Sequence, residues 1–208
     1  KKLEQYILNQ NTEEVVQNQK KIGSCLKRLI EFPEKVNINE FKSNNGHTYF
    51  YPGHFPSVYS VKFSDLDDDL ESLHFILSNI DNGAKIYYTK HPLYKTKKNP
   101  ALDAFVTNCD SISDLSKYDF DEFLSLRAIE ATDCVINSHS KTIYLAIALN
   151  KKIVEIGNFF TKRFLEDNSW EISSTVANIK QIKLLSWHIN TRVTHGLLNA
   201  GAYRIFLN

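Results

Sequence analysis

The feature that most constrains the fold is an alternation that begins near residue 48 and stops near residue 157. Short β-type runs take turns with helical patterns through this stretch. Thr48-Tyr49-Phe50-Tyr51 is closed by Pro52-Gly53. A helix is predicted next, capped at Ser64, with Asp65, Asp67 and Asp68 in its first turn. It carries Leu66, Leu70, Leu73 and Ile76 and stops at Asn82-Gly83. Ala84 to Thr89 reads as a strand ending at Lys90-His91-Pro92, and Ala104-Phe105-Val106-Thr107 as a further one. An amphipathic helix is predicted over 119–133, a strand at Cys134-Val135-Ile136-Asn137, a helix from Thr142 to Asn150, and a strand from Lys152 to Ile156 that stops at Gly157. Strands separated by helices need crossover connections, which make parallel neighbours. The expected fold class is therefore α/β, a Rossmann-like doubly wound parallel sheet with helices on both faces.

Helical periodicity also flanks this core. Residues 3–32 repeat apolar side chains at spacings of three and four, with Asn11-Thr12 as an N-cap before Glu13-Glu14. Pro33 is expected to end that segment. Residues 159–208 look mainly helical. The expected organisation is a helical N-terminal segment and linker at 1–46, the Rossmann-like domain at 47–158, and a C-terminal helical segment at 159–208 packing on it. Length fits one large domain: 208 residues can bury a sizeable core. The formal net charge of +1 gives no global reason to expect nucleic acid as a partner. No apolar run is long enough for a membrane span, and the first residues carry no secretory signal. Cys25, Cys109 and Cys134 have no CxxC spacing, so they read as structural thiols in a reducing cytoplasm. The sequence contains no Met, which leads us to expect part of a longer protein.

In sheets of this kind, ligands bind beyond the carboxyl ends of the strands. Three such ends carry polar residues: Pro52-Gly53-His54, Lys90-His91-Pro92, and Asn137-Ser138-His139-Ser140-Lys141-Thr142 before a helix. Hydroxyls and free backbone N–H groups at a strand-to-helix turn suit an anion, so Ser138, Ser140 and Thr142 are candidate phosphate ligands. Plain helix capping by Ser140 explains the same turn without a ligand. His91, fixed by the following proline, suits a phosphate as an N–H donor or as a cation. The bland alternative is a solvent-facing loop histidine. No GxGxxG, GxxxxGK[ST] or GxSxG is present. The seven His show no metal-ligand spacing, so no metal and no cofactor is expected. The run Asp67-Asp68-Asp69 reads as dipole compensation at a helix start.

Taken in order, Lys90-His91-Pro92-Leu93, the helix closing on Ala131-Thr132-Asp133, the Ser/Thr turn, and the helix leading to Lys151-Lys152-Ile153-Val154-Glu155-Ile156-Gly157 resemble the C-terminal half of GT-B glycosyltransferases. The resemblance is to the capsule polysaccharide synthesis group, which includes Kdo transferases, and to bacterial sialyltransferases with HP and Ser/Thr motifs. It is more distant to the glycerophosphate polymerases of teichoic acid synthesis. It covers roughly residues 48–158. It implies a donor-binding half that uses a CMP-activated sugar such as CMP-Kdo or CMP-sialic acid, without a metal, in making capsule or lipopolysaccharide. It further implies that His91 acts in catalysis at the donor phosphate, with Lys90, Ser138, Ser140 and Thr142 also binding the donor. A glycan or glycolipid acceptor, a cytoplasmic location at the inner face of the membrane, and peripheral membrane association through parts outside this chain go with that family.

The sequence departs from the family in three places. Tyr144-Leu145-Ala146 stands where members carry an acid, His139 interrupts the hydroxyl run, and the acidic-acidic-glycine motif of sialyltransferases is missing. The catalytic base is expected from another domain; His54 and Asp65 are candidates here only through their proximity to the first strand end. Two other functions stay open: a GT-B enzyme using CDP-glycerol or a UDP-sugar, and a non-catalytic interaction module.

Overall fold

The computed structural model describes residues 2–30, 46–54, 66, 68–91, 94, 98–118, 123–138, 140–157, 160–164, 170 and 178–194. Helices α1 (Lys2–Leu8) and α2 (Thr12–Ile30) precede the sheet. Strand β1 (Thr48–Pro52), helix α3 (Asp69–Leu77), strand β2 (Lys85–Thr89), helix α4 (Pro100–Asn108) and strand β3 (Ile112–Asp114) follow. After a 3₁₀ turn at Leu115–Tyr118 come α5 (Leu124–Ala131), β4 (Cys134–Asn137), α6 (Thr142–Ala148) and β5 (Lys152–Glu155). A second 3₁₀ turn, Phe160–Phe164, and helix α7 (Ile179–Thr194) come last.

The five strands are all parallel, in the order β3-β2-β1-β4-β5. This is the doubly wound Rossmann-like arrangement that the alternation predicts. The chain works outward from β1 in one direction, then returns and works outward in the other. The point of reversal lies between β1 and β4, where such sheets open a crevice for ligands.

Alternation along each strand assigns the two faces. Tyr49, Tyr51, Ile86, Tyr88 and Ile136 join Leu73 and Ile76 of α3 and Leu102 and Val106 of α4 on one side. Phe50, Tyr87, Val135 and Ile153 face the opposite side, with α2, α5, α6 and α7. β1 is buried at every position, as a central parallel strand covered on both faces must be. Thr48 and Asp133 lock the start of β1 to the start of β4. The Thr48 N–H and Oγ1 each donate to Asp133 Oδ2 at 2.8 Å, and Asp133 N–H donates to Thr48 O at 3.0 Å.

Two predicted elements are corrected. Residues 104–107 lie in helix α4, not in a strand. Asn99 caps that helix by accepting from Leu102 N–H, and Pro100 occupies its first turn, where a missing N–H costs nothing. The third strand is the three-residue β3 instead. The helix after β1 starts at Asp69, with Asp68 as N-cap accepting from Glu71 N–H at 3.0 Å, so Asp68 and not Ser64 caps it. Ser64, Asp65 and Asp67 lie outside the described residues, as do Pro33, Pro92, His139 and residues 119–122 of the predicted 119–133 helix. Asn11 does cap α2, accepting from Glu14 N–H at 3.1 Å.

The outer helices form a layer over α6. α7 packs on α1, α2 and α6. Gln10 Nε2 donates to Lys183 O and Lys183 Nζ donates to Leu8 O, each at 2.7 Å, which ties α1 to α7. Buried Gln19 of α2 donates to the carbonyls of Ile147 and Ala148, satisfying the open C-terminal end of α6. Gly23 lets α2 approach this closely, because a Cβ there would stand 2.6 Å from Ala148 O. We predict that Gly23→Ala lowers stability by about 1–3 kcal/mol, despite alanine's better helix propensity, since a backbone oxygen cannot step aside. Thermal unfolding followed by circular dichroism measures the loss; an unchanged or raised midpoint contradicts it.

Candidate functional site

The carboxyl ends of four strands come level. Pro52 pairs with Thr89, and Asn137 with Glu155. Phe50 pairs with Val135, so the same register brings Pro52 beside Asn137. The residues that follow are Gly53-His54 after β1, Lys90-His91 after β2 and Ser138 after β4. β2 and β4 flank β1, so the strand ends that lead to His91 and Ser138 are separated by β1 alone, about 10 Å or two strand spacings. The register thus sets the strand ends that precede His54, His91 and Ser138 side by side at one edge of the sheet.

Their environments differ. Lys90 Nζ is engaged with Asp103 of α4 at 2.8 Å and Asp114 of β3 at 3.2 Å. Burial pulls the Lys90 ammonium down, but the hydrogen bonds and charges of the two carboxylates outweigh it and hold it above the ordinary lysine value. His91 is partly buried. Burial lowers its basicity, the Asp69 charge raises it, and His54 lowers it, with a net downward result. The lowered value favours the neutral ring, which carries one N–H donor.

At the β4 end, Ser138 is fully buried, while Ser140 and Thr142 are partly exposed. Ser140 Oγ accepts from Thr142 N–H at 3.3 Å and from the Thr142 hydroxyl at 2.8 Å. This is a local turn bond to the residue two further on and not the N-cap that the capping reading expects, and it leaves the Ser140 O–H proton to donate elsewhere. The cap position itself is Lys141, in helical conformation with no side-chain cap bond. Tyr144 is buried and stacks on His188 of α7, ring centroids 3.5 Å apart. Cys134 is buried, and desolvation pushes its thiol up to about 12, which suits an inert core residue. Among the described residues, no group of three His, Cys, Asp or Glu is placed to hold a metal ion. Nor is any described helix long and apolar enough to cross a membrane.

Two buried carboxylates at the same sheet edge escaped the sequence reading. The first is Asp69, at the start of α3 and fully buried. Its Oδ1 accepts from His54 N–H at 2.7 Å and the Tyr51 hydroxyl at 3.0 Å; its Oδ2 accepts from the Tyr88 hydroxyl at 2.5 Å. His54 Nδ1 lies 3.1 Å from Asp69 Oδ1 and 3.0 Å from the Tyr51 oxygen. Burial first, then the carboxylate, pushes both tyrosines well above their ordinary value, so both stay protonated phenols that donate to Asp69. Gly53 makes room for this: a Cβ there would run into Asp69 Oδ2 and stand 2.7 Å from the Tyr88 ring and 2.8 Å from Thr89 O.

The second is Glu155, at the end of β5. It accepts from Asn137 Nδ2 at 2.6 Å, Gly157 N–H at 3.0 Å and the Thr161 hydroxyl at 3.3 Å. Burial pushes its carboxyl up to about 7, more than those hydrogen bonds and nearby Lys162 lower it. The available signal for both was position: an acid just before an apolar helical run, and an acid closing an otherwise apolar strand.

No family model matches the chain, and no curated protein matches its sequence. Solved structures do match. KpsC, beta Kdo 2,4 transferase, from Thermosulfurimonas dismutans superposes with a TM-score of 0.55 at 12% identity over 85% of this chain. KpsC, beta Kdo 2,7 transferase, from the same organism gives 0.46 at 20% identity over 84%. The chain spans 56% of the length of each. At these identities the likeness is one of fold: a Rossmann-like α/β unit shared with part of a larger enzyme.

Glu155 gives a pH prediction. Below pH 4.5 both folded and unfolded chains hold its proton. Between 4.5 and about 7 the unfolded chain ionises while the native one stays protonated, so stability falls as pH rises; above that both are ionised. The size is roughly 3 kcal/mol. Urea unfolding across this range should show the decline in the wild type and a flatter profile in Glu155→Gln; parallel profiles contradict the assignment.

Proposed function

We propose that the chain is the donor-binding half of a GT-B glycosyltransferase in capsule polysaccharide synthesis, using a CMP-activated sugar such as CMP-Kdo. The observation that carries the reading is the β1–β4 reversal point of the sheet, beside which stand the level strand ends that lead to His54, His91 and Ser138. The fold likeness to the beta Kdo 2,4 transferase supports it. The Kdo-transferase reading is preferred to the sialyltransferase one on that likeness and on the missing acidic-acidic-glycine motif.

The chemistry follows from charge development. Transfer of the sugar leaves growing negative charge on the departing CMP phosphate, while the sugar becomes oxocarbenium-like. Donors aimed at that phosphate lower the barrier without a metal. In this reading neutral His91 donates an N–H to the phosphate. The Ser140 O–H and the backbone of the turn at Ser138 to Thr142 hold the phosphate or ribose from the other side of β1. Lys90 contributes by fixing the loop through Asp103 and Asp114, with its charge already compensated there. The acceptor is a glycan or glycolipid, and the catalytic base comes from the rest of the enzyme.

Isothermal titration calorimetry tests the reading. CMP should bind more tightly than CDP or UDP. His91→Ala and Ser140→Ala should each weaken CMP about tenfold, the size of one hydrogen bond to a charged group. Preference for CDP or UDP contradicts the CMP assignment. Unchanged CMP affinity in the double variant contradicts the site and favours an interaction module.

A further inference from the structure

Asn137 and Glu155 pair directly at the carboxyl ends of β4 and β5, and both side chains are buried. Asn137 Nδ2 donates to Glu155 Oε2 at 2.6 Å. The other end of the same amide is bare. Among the described residues, Asn137 Oδ1 is buried with no hydrogen-bond partner. A buried carbonyl oxygen in that state is costly, so the pair lacks one donor. Turning the amide over does not supply it, because a buried NH₂ without an acceptor then takes the place of the bare oxygen.

The neighbouring carboxyl has the complementary lack. Glu155 Oε2 accepts from both Asn137 and Thr161, whereas Oε1 accepts from Gly157 N–H alone. Oε1 is therefore the oxygen with room for a proton. Little charge faces Glu155 to keep it ionised. Helix α6 carries no charged residue, and its Tyr144 stacks on His188. Cys134 and Lys152 pair at the opposite ends of β4 and β5. On the Phe160–Phe164 turn, Lys162 acts on Glu155 less than its three hydrogen bonds do, and Arg163 pairs with Glu4 at 3.5 Å. Burial prevails and pushes the carboxyl up to about 7. A carboxylic acid offers one O–H, and one O–H is what Asn137 Oδ1 lacks.

We propose that protonated Glu155 and Asn137 form a reciprocal acid–amide pair, with Oε1–H donating to Asn137 Oδ1 and Asn137 Nδ2 donating to Oε2, and that the two are positioning residues for the turn at Ser138 to Thr142. Ser138 follows Asn137 directly and is fully buried, and Ile156 N–H holds the Asn137 carbonyl at 2.9 Å. Ionisation releases the proton to water and turns a carboxylate oxygen toward Oδ1, which it repels. The amide then reorients, and the adjoining turn shifts with it. The consequence for a nucleotide rests on the donor-binding reading; the pair itself does not.

NMR of the labelled chain through a pH titration tests the pair without any variant. The Glu155 carboxyl carbon and the Asn137 carboxamide carbon, which reports the bond accepted at Oδ1, should move together with a midpoint at about 7. The amides of Ser140 to Thr142 should follow. In Glu155→Gln, whose NH₂ replaces the acid O–H as donor, Asn137 and the turn should hold their low-pH positions throughout. A Glu155 carboxyl that titrates in the ordinary carboxylate range overturns the pair, as does an Asn137 carboxamide carbon that ignores the titration. Turn amides that stay fixed while the pair titrates overturn the positioning. Should Glu155→Gln not fold, the wild-type spectra decide both points.

Calorimetry with CMP reads the consequence as the ratio of wild-type to Glu155→Gln affinity, in which ionisation of the CMP phosphate and of His91 cancels. The ratio should fall about fivefold between about pH 6 and about pH 8, the size of one neutral hydrogen bond. A constant ratio overturns the link to the nucleotide site and leaves the donor-binding reading standing. If CMP binds neither protein, the donor-binding reading falls, and the spectra still decide the pair and its hold on the turn.

Discussion

The carboxylate of Asp69 is the interaction on which the sheet edge depends. An ionised group with no exposure is tolerated only when its oxygens are filled, because unpaired burial of a charge costs several kcal/mol. Here β1 supplies the Tyr51 hydroxyl, the following loop supplies the His54 N–H, and β2 supplies the Tyr88 hydroxyl. One residue at the start of α3 therefore holds two strand ends and a loop in register with one another. Gly53 is the condition for that convergence, since any side chain there collides with the carboxylate.

On the other side of the reversal point Glu155 plays a matching part with different chemistry. It joins β5 to β4 through Asn137 and to the Phe160–Phe164 turn through Thr161. Its donors are weaker and fewer than those of a fully compensated carboxylate, so burial prevails and its carboxyl titrates near neutrality. The β1–β4 reversal point thus lies between two acid-centred clamps. In the proposed reading an anionic ligand there would be met by His91 and by hydroxyls and backbone N–H groups at the turn, a local arrangement that needs no basic face.

Much of this was legible in the residues, for identifiable reasons. β1, β2, β4 and β5 are dense in Tyr, Ile and Val and are bounded by Gly, Pro or Asn, so their periodicity stands out. β3 is three residues long, too short to carry a pattern, and the apolar Ala104-Phe105-Val106 beside it drew the strand assignment wrongly. Asn99-Pro100 was the helix-start signal that should have outweighed it. The strand ends with His91 and Ser138 were found because topology alone directs attention there. Asp69 was hidden in a run of three acids, and only the tertiary structure separates Asp68, the exposed-side cap, from Asp69, the buried anchor. Tyr51 and Tyr88 looked like strand filler, and their hydroxyl partner is 18 or 19 residues away in the chain.

The central claim is that a nucleotide sits at the β1–β4 reversal point. Amide chemical-shift mapping with CMP tests it most directly. The largest changes should fall at residues 52–54, 90–91 and 137–142, with α1, α2 and α7 unaffected. Changes confined to those outer helices, or none at saturating CMP, would contradict it.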